Sequence, residues 1–200
     1  APLSILDAAT GEVLTECEGT EGTREIVVDG DGVLARVRLS KADGATRRGQ
    51  SISTKLTALD AASGKIEWSQ DVRNMNSLSL AAGGGAVVFV RGAKLVCHDR
   101  QGGAPRWEVD CPRSAIVVIH EDVVLTTGKG GATAFSLADG KQLWKGPDTG
   151  RDLFVIDDLV WRVQLTSGIL EQRTEHWPTL SRQAGARLLG HDFRSGELRR

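Results

Sequence analysis

The sequence predicts an all-β protein: a β-propeller of four-stranded antiparallel blades, about four full blades plus a half blade, its ring incomplete. Three observations predict it. One hairpin motif recurs five times in 200 residues. The copies recur on a unit of ~40 residues, the length of a propeller blade rather than of a helical repeat. The runs between the turns are short, alternating and rich in β-branched residues, with no 3.6-residue period.

The clearest copy is LTALDAASGKIEW, with Asp60, Gly64 four residues later and Trp68 eight residues later. The same frame holds Asp99, Gly103 and Trp107, then Ser136, Gly140 and Trp144. Two further copies keep Asp and Gly but not Trp: Asp7, Gly11 and Thr15, and Asp192, Gly196 and Arg200. The steps between copies are 53, 39, 37 and 56 residues. Asp suits the first position because its carboxylate accepts backbone N–H groups two or three residues on. Ser136 serves the same role more weakly. Gly takes the left-handed conformation that returns the chain into a bulged hairpin. Each Asp is therefore a turn cap rather than a catalytic acid.

The elements follow in order. Residues 3–16 supply only the last two strands of a half blade. The full blades fall at approximately 24–72, 77–110, 115–146 and 152–200. Their first two strands are REIVV and VLARVRL, then SLSLA and AVVFV, then AIVVI and VVLTT, and last LFVI and LVWRVQL. The two long steps place insertions at 40–55 and 166–186, both polar and turn-rich. Such loops carry function on propellers more often than blades do. The second contains His176 and Trp177, where a Trp either anchors a partner or folds back on its blade. Strand edges left unpaired are a liability, so the chain reads as a single propeller segment, 1–200, of something longer.

Composition excludes some partners. A net charge of −1 argues against nucleic acid or an acidic membrane surface. No apolar run approaches the ~20 residues of a transmembrane helix, and no segment has the pattern of a signal peptide. Cys17, Cys97 and Cys111 have no metal-ligand spacing. They read as small buried hydrophobes in preference to a disulfide between Cys97 and Cys111. TTGKGG lacks the glycine and hydroxyl of a phosphate loop, and HEDVV lacks the second His of a zinc motif. His98 and His191 share one frame position, just before the turn Asp, and read as strand residues rather than ligands.

The pattern Ala58, Asp60, Ser63, Gly64, Trp68 resembles the repeat of PQQ-like β-propellers, which include quinoprotein alcohol dehydrogenases and BamB-type outer-membrane assembly lipoproteins. The resemblance implies that Trp68, Trp107 and Trp144 dock one blade on the next. It implies a location in the periplasm or cell envelope. It does not extend to a cofactor. The vicinal Cys pair of the quinone enzymes is missing, and Asn, one of their calcium ligands, occurs only at Asn74 and Asn76. No catalytic, metal or cofactor residues are expected. The expected function is a non-catalytic scaffold that binds protein or ligand through its loops. The alternatives are a fragment of a PQQ- and calcium-dependent dehydrogenase, and an accessory propeller joined to an enzyme domain.

Overall fold

The computed structural model describes residues 1–39, 53–111, 114–128, 131–146, 153–165 and 186–199. Among these residues there is no helix, and the strands form five antiparallel sheets in chain order. The first sheet pairs β1 (Leu3–Leu6) with β2 (Val13–Cys17). The second is a meander of β3 (Thr23–Asp29), β4 (Gly32–Arg38), β5 (Ser53–Asp60) and β6 (Ile66–Arg73). The third holds β7 (Ala81–Gly83), β8 (Ala86–Arg91), β9 (Lys94–Asp99) and β10 (Pro105–Asp110). The fourth holds β11 (Ser114–His120), β12 (Val123–Gly128), β13 (Gly131–Ser136) and β14 (Gln142–Lys145). The fifth holds β15 (Phe154–Ile156), β16 (Leu159–Leu165) and β17 (Ala186–Asp192).

The sheets stack face to face, and the period-2 alternation of each strand decides which neighbour each side chain meets. In β8, Val87 and Phe89 pack towards the second sheet, with Leu34, Leu56 and Ala58. The intervening Val88 and Val90 pack towards the fourth, with Val124 and Phe135. That is why AVVFV is a continuous apolar run: an inner strand covered on both faces has no side left for polar residues. Ala35, Val37 and Leu59 meet Cys17 of the first sheet, and Leu125 and Ala134 meet Val160 and Phe193 of the fifth. Each fully buried Leu, Val or Phe in these seams contributes about 1.5–3 kcal/mol. Among the described residues no core cluster joins the fifth sheet back to the first. The ring of the propeller is open.

Three details differ from the sequence expectations. The strand expected over 77–81 begins only at Ala81. Leu78 has φ +56°, which breaks the extended run. The Glu25 carboxylate takes the N–H groups of Leu78 and Leu80, and the Ser79 hydroxyl accepts the N–H of Val90 in place of a ladder bond. Second, Ser53–Lys55 belong to β5 rather than to an insertion, since Thr54 pairs with Arg38 and Lys55 with Val37. Ala186, likewise, opens β17. Third, the last blade is three-stranded, and its fourth strand amounts to one bridge, His191 to Leu198. Residues 40–52 and 166–185 of the two insertions, with His176 and Trp177, lie outside the described residues, as does Arg200.

Candidate functional site

The repeated hairpin is built the same way five times. The N–H of the glycine donates to the carbonyl of the first turn residue in every copy: Gly11 to Asp7, Gly64 to Asp60, Gly103 to Asp99, Gly140 to Ser136 and Gly196 to Asp192, at 2.8–3.0 Å. All five glycines sit at φ between +68° and +74°. Three residues after Gly11, Gly64, Gly103 and Gly140 the register slips, so that Thr15, Trp68, Trp107 and Trp144 each follow a bulged residue. The bulge re-aims the side chain out of its own strand and onto the neighbouring sheet.

The carboxylates are committed to the turns. Asp60 accepts the N–H and hydroxyl of Ser63, and the hydroxyl leads in holding its pKa below the usual carboxylate value. Asp7 and Asp192 are lowered chiefly by the N–H groups of Thr10 and Ser195. Asp99 is lowered chiefly by Arg106, which ion-pairs with it at 2.6 Å. The Ser136 turn reverses the roles. Asp139, three residues on, supplies the carboxylate, its pKa lowered first by the Ser136 hydroxyl. Sequence reasoning missed Asp139, though the signal was present: D-x-x-[ST] in three of the other turns becomes S-x-x-D.

Each Trp closes a seam. Trp68 Nε1–H donates to the Arg100 carbonyl, Trp107 to Leu137 and Trp144 to Phe193, each at 2.8 Å. Each acceptor is the residue after the first turn residue of the next sheet. The rings lie flat against the turn glycines of that same sheet. A Cβ on Gly103, Gly140 or Gly196 would meet Trp68, Trp107 or Trp144 at 2.9, 2.7 and 2.7 Å. Thr15 occupies the corresponding place against Gly64, at 2.6 Å, but has no ring and no N–H. Gly11 has nothing within 4 Å. Trp161 lies outside this frame, beside Gly190 in its own sheet.

The remaining candidates are structural in their surroundings. Cys17, Cys97 and Cys111 are buried and form no disulfide with one another, and burial pushes the Cys97 thiol up to about 11. His98 contacts Gln70 at 2.5 Å and packs edge-on against Phe89. Burial lowers its pKa first of all. His191 contacts Arg162 at 2.6 Å and the Gly196 carbonyl at 3.0 Å. That carbonyl accepts only from an N–H, so His191 carries its proton on Nδ1. Among the described residues one group has metal-ligand chemistry: His120, Glu121 and Asp158 bring a ligand atom each within 4.8 Å of one another. Glu121 is already paired with Arg194, which also holds Asp122.

The fold and its seams define a class: an open propeller of repeat blades, locked in series by an aromatic residue of one hairpin against the glycine of the next. The chain belongs to the family described as outer membrane protein assembly factor BamB, which it matches over residues 53–198. Comparison with the curated proteins finds no match. Among solved structures it is similar to BamB from Moraxella catarrhalis, at 17% identity and a TM-score of 0.55, over 87% of this chain and 46% of that one. It is also similar to the quinohemoprotein alcohol dehydrogenase of Comamonas testosteroni, at 11% identity and a TM-score of 0.57, over 90% of this chain and 35% of that one. A europium-containing methanol dehydrogenase matches at 13% identity and a TM-score of 0.55, over 90% and 42%. The chain spans less than half the length of each of these proteins. At such identities the likeness is one of fold.

Proposed function

We propose that the chain is part of a non-catalytic PQQ-like propeller scaffold, which binds a protein or other ligand through its loops and rim in the bacterial cell envelope. One observation carries this reading. The Trp residues that give the repeat its signature are all placed in the seams, each indole N–H bonded to the next sheet. The repeat carboxylates are likewise bound within their turns. Each of these Trp residues is committed to its seam by its N–H bond and its contact with the next glycine, and a carboxylate that caps its own turn makes a poor base. The family match to an outer membrane protein assembly factor supports the same reading, and with it a partner among outer-membrane assembly proteins.

The test is site-specific photocrosslinking in cells, from the exposed positions Val28 and Leu78. Adducts with an outer-membrane assembly protein are expected. Their absence from both positions overturns the reading. So does saturable quenching of Trp fluorescence by PQQ with calcium, which would favour a dehydrogenase instead.

A further inference from the structure

We infer that the inner edge of the second sheet holds a binding site for a phosphate-sized oxyanion, built on Arg36 with Arg24 and Arg38. This stands apart from the scaffold reading and does not depend on it. The starting point is a residue that breaks the repeat. In each of the four larger sheets one residue of the second strand pairs with the first turn residue: Gly32 with Asp60, Ala86 with Asp99, Val123 with Ser136 and Leu159 with Asp192. Four residues further along, the strands carry Arg36, Val90, Thr127 and Val163. A slot that is aliphatic or neutral elsewhere is cationic here.

Arg36 is only 7% exposed, so its guanidinium sits inside a seam where an uncompensated charge is costly. Its compensation among the described residues is slight. Nη2 reaches the Met75 carbonyl at 3.5 Å, and Nε has no partner. The nearest carboxylate by register is Glu25, directly across the β3–β4 pair. Each of its oxygens accepts one N–H, from Leu78 and Leu80 at 3.0 and 2.9 Å, which holds the carboxylate towards that loop. Among the described residues the buried guanidinium thus has one long hydrogen bond, no ion pair, and an Nε without an acceptor.

The space beside it is suited to supply one. A solvent-open cavity of about 370 Å³ is lined by Arg24, Glu25, Arg36, Arg38, Ser77 and Leu78. Arg38 shares the face of Arg36, two residues along the same strand. Arg24 would normally point to the other face from Glu25. The register shift between Thr23 and Glu25 turns it into the same cavity. Three arginines and one glutamate therefore line one cavity, in a chain whose net charge is −1. Planar guanidinium forks match the oxygens of a phosphoryl group in pairs, and Ser77 adds a hydroxyl donor at the mouth.

The experiment is a thermal-unfolding titration of the whole chain with inorganic phosphate, against sodium chloride at matched ionic strength. Phosphate is expected to raise the Tm saturably, by mass action on the folded state, and chloride is not. Arg24→Ala and Arg38→Ala should each weaken the apparent affinity about 10-fold or more, the loss of one charge-assisted contact. Arg36→Met should abolish the phosphate response, yet be at least as stable as wild type without phosphate, because it fills the slot without a charge. Arg187→Ala, at an exposed position of β17, should titrate like wild type. Equal effects of phosphate and chloride overturn the proposal. So does a wild-type response in Arg24→Ala and Arg38→Ala, a result that stands even if Arg36→Met does not fold.

Discussion

Gly140→Ala tests the seams directly, and Gly11→Ala is its internal control. The two glycines have nearly the same backbone, φ +73° and +74°. An L-residue in that region costs roughly 1–2 kcal/mol at either position. Their surroundings differ. A Cβ at 140 would lie 2.7 Å from Trp107 Cε3, 2.9 Å from its Cδ2 and 3.0 Å from Val109 Cγ1. At 11 it would meet nothing within 4 Å. Trp107 cannot retreat without stretching its bond to the Leu137 carbonyl. Overpacking of this kind adds about 1–3 kcal/mol. Gly140→Ala should therefore destabilise by about 2–5 kcal/mol and Gly11→Ala by about 1–2 kcal/mol. For a chain of this size each kcal/mol is about 2–4 °C in Tm. Urea unfolding followed by circular dichroism reads the difference. Trp107→Leu should relieve much of the clash, so the double variant should lose less than the sum of the two single ones. Equal destabilisation at 11 and 140, or simple additivity with Trp107→Leu, would refute the idea that the indole docks on that glycine.

Further outcomes follow from the same geometry. Trp107→Phe keeps the ring contact but removes the N–H, and should cost about 1–3 kcal/mol by leaving the Leu137 carbonyl unpaired, measured by the urea midpoint. The turn carboxylates have folded-state pKa values below their unfolded ones. Their stabilisation is complete above the unfolded value and is lost as the pH falls through the folded one. Asp60→Asn should therefore flatten the acid limb of a stability–pH profile and leave its neutral-to-alkaline part unchanged in slope. Asp139→Ala should destabilise the protein while Ser136→Asp restores a carboxylate cap, a rescue that thermal melts of the single and double variants would show. Cys97, its thiol at about 11, should resist alkylation at pH 8 in the native protein and react only on unfolding. Mass spectrometry of iodoacetamide-treated samples would decide this.

Much of the fold was legible in the sequence because the hairpin signature is local. An Asp that caps its own turn, a Gly at positive φ and a β-branched run before it act within ten residues, and all five copies fold as their spacing implies. The strand at 77–81 was misread for the opposite reason. Its S-L-S-L alternation has the right period, but Glu25, more than fifty residues earlier, captures its N–H groups. Asp139 escaped notice because the exchange of Ser and Asp leaves the turn chemistry unchanged while moving the carboxylate three positions. The oxyanion cavity could not be read at all before the registers were known, since Arg36 looks like any other charged residue in VLARVRL.

By itself the sequence determined the repeat: five turns, their intervening strands and the positions of the three docking aromatics, because each depends on residues a few places apart. The tertiary structure decided what those pieces meet. Among the described residues, it set Trp68, Trp107 and Trp144 against the turn glycines of the following sheets, left Gly11 uncovered, and buried Arg36 in a seam without an ion pair. These are contacts between sheets more than thirty residues apart, and they depend on strand register and stacking, which local propensity does not encode.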